Sequence, residues 1–254
     1  MSDNRHADVS AIIPAYNSAR TIARAIRSVQ QQTLPVASIL VYDDASTDET
    51  TQILAELAAD DPRIEVLSGK TNVGPGVARR TLLEQCQTSF AAFLDADDEW
   101  HPSKTARQLE AFQHPHVLVS YSSVVVKRPN KPDATREVST QTNLLKLHRQ
   151  NDIPTSSAIV KMDANGSRSM PTLQKRQDYG YWFQLASKNP EARFVGFKEP
   201  LATYHVTSGS VSSNPLKNAY WNYRMFRDVA GYAPHHAGWM VLGNIKARLA
   251  RRER

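Results

Sequence analysis

Apolar residues fall in short runs, separated by stretches in which they recur at helical spacing. Residues 9–13 are an apolar run ended by Pro14, the pattern of a buried strand feeding a loop. Ile22, Ile26 and Val29 then repeat at helical intervals, with Ser18 or Thr21 as the predicted cap. Residues 39–42 form the second predicted strand. Ser46 or Thr47 is positioned to cap a helix carrying Ile53, Leu54 and Leu57. Residues 64–67 give a third strand, and Gly74-Pro75-Gly76 opens a helix with Val77, Leu82 and Leu83. Residues 90–94 give a fourth strand that runs into Asp95. This alternation predicts an α/β fold with a mostly parallel, doubly wound, Rossmann-like sheet.

The second half is less regular. A long strand is predicted over 117–126, a polar, Pro-containing loop over 128–137, and a strand over 157–161. A helix is predicted over 179–187, strands over 193–197 and 201–205, and terminal helices over 216–229 and 235–250. The halves meet near residues 100–116. We read 1–254 as one domain: a nucleotide-binding half (8–115), an acceptor and catalytic-base half (116–212), and a helical C-terminal segment (213–254).

Composition narrows the class. The 254 residues are 41% hydrophobic and 22% charged, ordinary for a soluble globular protein. No apolar run reaches membrane-spanning length, and the polar first eight residues lack the apolar core of a secretory signal. The single cysteine, Cys86, cannot form an internal disulfide, which fits a reducing cytoplasm, and reads as a small core residue rather than a nucleophile. The net charge of +6 is concentrated at the C-terminus, in Lys246, Arg248, Arg251, Arg252 and Arg254, behind Trp239, Met240, Val241, Leu242 and Ile245. That stretch reads as a basic amphipathic helix suited to the inner face of an anionic membrane, or equally as a solvated terminal helix. No aromatic-interleaved basic groove or recognised motif supports a nucleic-acid partner.

The unusual residues cluster where predicted strands end, the edge at which open α/β sheets bind ligands. They are Pro14-Ala15-Tyr16-Asn17, Asp43-Asp44-Ala45-Ser46, Asn72-Val73-Gly74 and Asp95-Ala96-Asp97-Asp98. Bare carboxylates beside a nucleotide diphosphate would repel it, so an acidic pair there calls for a bridging Mg²⁺ or Mn²⁺. Asp95 and Asp97 point alike on an extended segment. Asp97 is the expected metal ligand, and Asp95 binds the ribose or the metal through water. The plain alternative is a helix-capping acidic turn before Pro102. Asp43-Asp44 reads as an acceptor for a base N–H or as a solvated turn, and Tyr16 as a stacking face for that base or as cover for the sheet end.

Taken in order, residues 9–17, 41–48, 72–74 and 93–98 resemble the family 2 glycosyltransferases of GT-A fold. The likeness is strong over residues 8–115 and weaker to about residue 212. The resemblance implies an inverting transferase that uses a nucleoside-diphosphate sugar, a UDP-sugar foremost, with Mg²⁺ or Mn²⁺. It places Asp44 at the base, Asp97 on the metal, and nucleotide-sugar contacts on Pro14, Ala15, Tyr16, Asn17, Asp43, Asp44, Asn72, Gly74, Arg79, Asp95 and Ala96. The family's catalytic base maps to Asp178 in Gln177-Asp178-Tyr179-Gly180-Tyr181-Trp182, where an ordinary helix cap is the alternative. Independently, inversion requires a base opposite the leaving diphosphate, and Tyr181 and Trp182 are the expected acceptor platform. Lys175 or Arg176 joins Arg79 as a candidate diphosphate or base contact, with a solvated surface residue as the alternative.

Two departures stand out. The Glu usual before the base is Gln177. Thr207 occupies the usual His position, and His205 replaces the usual Arg, ahead of Ser208-Gly209-Ser210-Val211-Ser212. The expected acceptor is a carbohydrate or lipid-linked saccharide in surface or exopolysaccharide assembly. Rival readings are a nucleotidyltransferase, which usually carries a Gly-rich basic loop after the first strand, and a non-catalytic nucleotide-sugar-binding module.

Overall fold

The computed structural model describes residues 6–206 and 215–252. The first half follows the predicted order: β1 (Ala7–Ala15), α1 (Ile22–Gln30), β2 (Val36–Asp43), α2 (Thr50–Asp60), β3 (Ile64–Ser68), α3 (Pro75–Gln85) and β4 (Phe90–Phe93). Then come β5 (Glu99–Trp100), α4 (Lys104–Leu109), β6 (Val117–Arg128), β7 (Lys131–Arg136), β8 (Gln141–Thr142), α5 (Leu144–Arg149) and β9 (Ile159–Lys161). The chain continues through α6 (Gln177–Lys188), β10 (Arg193–His205), α7 (Pro215–Arg224) and α8 (Pro234–Arg252).

One sheet holds the described strands in the order β3-β2-β1-β4-β9-β6-β10-β5, with β7 on β6 and β8 on β10. The β1–β4 block is wholly parallel. β6 and β10 are also parallel, and β9 runs antiparallel between β4 and β6. Helices cover both faces, so β1 is apolar on both sides, as a buried parallel strand requires. Val9, Ala11 and Ile13 enter the core under α1 and α2, while Ile12 points into the core under α3 and α6. Each fully buried Ile is worth about 1.5–3 kcal/mol of burial.

Three sequence expectations need correction. The polar loop predicted over 128–137 contains β7, which turns back through Asn130 at φ 58° and pairs antiparallel with β6. All of β7 is exposed, so no hydrophobic alternation marks it. The two strands predicted over 193–205 are one, β10, interrupted by register shifts around Pro200. Gly196 is required within it, because a Cβ there would lie 2.1 Å from the Ser139 carbonyl oxygen. The helix predicted to reach residue 229 ends at Arg224, and a wider π turn spans Met225–Val229.

Candidate active site

The parallel strands deliver their carboxyl ends to one edge, and local hydrogen bonds fix the loops that leave it. Asn17 sits at φ 46°, a conformation that Asn tolerates. Its amide donates to Ser46 Oγ at 3.0 Å, and its Oδ1 accepts from the Thr47 amide at 2.8 Å. The buried Asp43 accepts from the Ser46 amide at 3.1 Å and the Thr51 hydroxyl at 2.6 Å. Asp44, also buried, accepts from the amides of Val73 (2.7 Å) and Gly74 (2.8 Å), tying the loop after β3 to the end of β2. Gly74 has φ 84°, the left-handed region that favours glycine. Neither Ser46 nor Thr47 caps α2. Glu49 is the N-cap residue, and Asp48 accepts from the Thr50 amide at 3.0 Å.

These loops border a cleft of about 980 Å³. Pro14, Tyr16, Asn17, Arg79, Asp95, Ala96, Asp97, Lys175, Arg176 and Asp178 all line it. Residues remote in sequence thus meet in one cavity, which Asp178 shares with the acidic motif. Ala15, Asp43, Asp44, Asn72 and Gly74 lie outside the lining, behind or beside it. Tyr16 is 48% exposed, leaving its ring available at the mouth.

Like charges crowd the acidic centre. Asp95 pairs with Nη2 of the buried Arg79, whose Nε and Nη1 are buried without a hydrogen-bond partner among the described residues. Burial, and then the charge of Asp95, raises the pKa of Asp97. Burial, followed by Asp95, pushes Asp98 up to about 8. Asp98 is fully buried, accepting from the Ser156 hydroxyl and from the His205 amide at 3.1 Å.

No group of three or more potential His, Cys, Asp or Glu metal ligands occurs among the described residues. The two carboxylates of Asp95 and Asp97 are hard oxygen donors whose mutual repulsion a divalent cation would relieve. A set of one or two carboxylates completed by phosphates and water is how Mg²⁺ sites beside nucleotides are usually built. The donor set therefore fits Mg²⁺ or Mn²⁺.

Asp178 lies in the first turn of α6, one residue inside the helix rather than at its cap. The N-cap position is Arg176, at φ 65° and ψ 17°. A non-glycine residue there costs of order 1–3 kcal/mol, and such residues gather at functional sites. Asp178 Oδ2 accepts from Asn151 Nδ2 at 3.2 Å and from the Thr155 hydroxyl at 3.4 Å. Sequence reasoning passed over Asn151, Thr155 and Ser156. They sit in an irregular polar loop with no periodicity to say which side chains face the site.

Tyr181 and Trp182 are not an acceptor platform. Both are fully buried, with their rings edge-on to Phe93 at 5.9 and 5.7 Å, and the Tyr181 hydroxyl donates to the Ser167 carbonyl. On α6 they lie on the core-facing side, which the aromatic composition alone did not reveal. We expect Trp182→Ala to cost about 3–5 kcal/mol of stability in a denaturant melt, not to raise the acceptor KM selectively. His205 likewise lies outside the lining of the main cleft. Its Nε2 meets Glu99 Oε1 at 2.6 Å, and Glu99 also pairs with Arg24 at 3.3 Å. Thr207 and the Ser208–Ser212 stretch lie outside the described residues.

Known proteins place this architecture. Over 95% of the chain, the fold matches Staphylococcus aureus TarS (residues 1–349) crystallised with UDP-GlcNAc, at TM-score 0.69 and 20% identity, covering 72% of that chain. It also matches the Pyrobaculum calidifontis mannosyltransferase PcManGT in complex with GDP-Man and Mn²⁺, at TM-score 0.66 and 17% identity, covering 98% of this chain and 76% of that one. In sequence, the chain is 29% identical over 246 residues to Bacillus subtilis (strain 168) TuaG, named for teichuronic acid biosynthesis, covering 96% of this chain and 97% of TuaG. It is 30% identical over 210 residues to Escherichia coli WfgD, named UDP-Glc:alpha-D-GlcNAc-diphosphoundecaprenol beta-1,3-glucosyltransferase, covering 82% of this chain and 81% of WfgD. Residues 10–166, which carry every strand-end motif up to the acidic one, match the glycosyl transferase family 2 profile, and to that family of sugar-transferring enzymes the chain belongs.

Proposed function

We propose that the protein transfers a hexose from a UDP-sugar to a lipid-linked saccharide in surface polysaccharide assembly, by single displacement with inversion. The observation that carries this reading is the cleft in which Asp95, Asp97 and Asp178 meet. The donor base lies against Tyr16 near the Asp43-Asp44 loop, which Asp44 braces from behind through the Val73 and Gly74 amides. The two unpartnered nitrogens of Arg79 serve the donor diphosphate. Asp97 and Asp95 would hold the divalent cation, which would supply positive charge beside the departing diphosphate. Asn151 and Thr155 both bond Oδ2 of Asp178, which leaves Oδ1 to take the acceptor's proton. The acceptor oxygen then bonds the anomeric carbon, and the bond from that carbon to the diphosphate breaks with its electron pair leaving on phosphate. The names of WfgD and of WfaP, which is 28% identical over 228 residues, both specify UDP-Glc and a diphosphoundecaprenol-linked sugar.

Incubation with a panel of nucleotide sugars and Mn²⁺ tests the reaction class. Transfer releases a nucleoside diphosphate. Pyrophosphate release would instead mark a nucleotidyltransferase, and no release from any donor would favour a binding module.

A lipid carrier implies contact with a membrane. Among the described residues no helix is long and apolar enough to cross one. On α8, Ala237 and Val241 face the core, while Trp239 (70% exposed), Leu242 and Ile245 face outward. The basic residues from Lys246 onward follow directly in sequence. Such an apolar face with a basic continuation suits an anionic bilayer surface at the inner face of the cytoplasmic membrane. The protein should sediment with phosphatidylglycerol vesicles but not with phosphatidylcholine ones. Trp239→Ser with Leu242→Ser should weaken that binding about tenfold, roughly 1.4 kcal/mol. Protein that stays in solution with acidic vesicles would remove the membrane reading.

A further inference from the structure

We propose that a second cavity beside Asp178 holds an anionic diphosphate on the acceptor, gripped by Arg136 and Arg176. This rests on reading Asp178 as the catalytic base. The cavity has a volume of about 240 Å³ and adjoins the main cleft, sharing Asp95, Thr155, Arg176, Asp178 and Tyr204 with it. Asp95, Asp98 and Asp178 line it, together with Asn151, Thr155 and Tyr204, and so do two arginines. Arg176 lines this cavity and the main cleft alike, whereas Arg136 lines only the smaller one. Arg136 therefore marks a binding region separate from that of the donor.

The backbone positions of the two arginines are set by different means. Arg136 ends β7, the exposed hairpin strand whose register sets Arg136 opposite Val124. Arg176 reaches the cavity from a left-handed backbone position immediately before α6. Ion pairs and side-chain hydrogen bonds involve many of the protein's other arginines, among them Arg24, Arg63, Arg79 and Arg107. Among the described residues neither Arg136 nor Arg176 closes such a pair. Asp95, Asp98 and Asp178 in the same lining would repel an anion unless cations offset them, and a neutral sugar hydroxyl calls for no such cations. A phosphate does, because the planar guanidinium fork matches its oxygens with two parallel hydrogen bonds. An acceptor sugar joined to its carrier through a diphosphate presents that charge close to its reactive hydroxyl. The arginines would then orient the hydroxyl toward Asp178 and discriminate against the same sugar on a neutral carrier.

Titration of the protein with undecyl diphosphate and with undecyl glucoside, each with and without saturating UDP and Mn²⁺, tests this directly. The two probes share a chain length and differ in charge. We expect the diphosphate to bind at least tenfold more tightly than the glucoside, undiminished by UDP. Arg136→Gln, on an exposed edge strand where folding does not depend on it, should abolish that preference and leave UDP affinity unaltered. Equal affinity for the two probes, a preference that survives Arg136→Gln, or displacement of undecyl diphosphate by UDP would each overturn the proposal. Loss of UDP binding in the unaltered protein would instead count against the donor-site reading, and the titrations without UDP still report on the cavity in that case.

Discussion

Asp178→Asn lowers kcat by about 10²–10⁴-fold, the usual cost of removing a positioned general base, and leaves UDP affinity unchanged. The separation follows from the geometry. Asp178 lines the cleft, and its side-chain hydrogen bonds run to Asn151 and Thr155 rather than to any residue of the nucleotide loops. The amide preserves size and keeps an oxygen to accept from Asn151, so the fold is not at issue, but it cannot take up a proton at neutral pH. Steady-state turnover paired with calorimetric UDP titration measures both sides. Undiminished turnover would remove Asp178 from the mechanism, and weakened UDP binding would relocate it to the donor site.

Asp97→Asn should act in the opposite sense on stability and on activity. The folded pKa of Asp97 is raised, first by burial and then by Asp95. For an acid, that sign means the folded state holds its proton more tightly than the unfolded chain does. Its contribution is therefore least unfavourable below the unfolded carboxylate pKa, and stability is lost as pH rises through the folded one. The amide removes a half-buried carboxyl whose ionisation burial and Asp95 both disfavour, so the metal-free variant should melt higher than the unaltered protein. Turnover should fall by about two orders of magnitude or more, because the cation's several kcal/mol of charge stabilisation goes with its ligand. UDP binding should lose its dependence on Mn²⁺. Melting without metal and UDP titration with and without Mn²⁺ are the measurements. A variant that melts lower and still binds UDP in a Mn²⁺-dependent way would assign Asp97 to structure. A gain in stability with a loss of function is the pattern expected where repulsion is retained for chemistry.

The first half of the fold was legible because its signals are local and mutually consistent. Apolar runs of strand length alternate with helical periodicity, and each acidic or glycine-containing motif falls where a run stops. The four parallel strands at Ala15, Asp43, Ser68 and Phe93 follow that alternation. Local signals also placed Asp95 and Asp97, and the family resemblance pointed to Asp178; all three line one cleft. Proximity to the site does not fix the job of a side chain, however. Asp44 spends both carboxylate oxygens on the Val73 and Gly74 amides, a structural tie that sequence spacing could not disclose. Tyr181 and Trp182 follow the catalytic motif, yet their side of α6 is the core, and helical phase relative to the sheet is a tertiary property. β7 escaped notice because an edge strand exposed on both faces has no apolar alternation to read. Arg136 and Asn151 were missed for a related reason: they come to line one cavity with Asp178 only once the irregular second half has folded.

The most direct test of the account is anomalous X-ray scattering from a crystal soaked with UDP and Mn²⁺. We predict one strong manganese peak within bonding distance of Asp97, contacted by the UDP phosphates, with Asp178 facing it across the same cleft and not bonded to it. A manganese peak away from Asp95 and Asp97, or UDP phosphates bound outside that cleft, would contradict the assignment of the acidic centre and the transfer mechanism built on it.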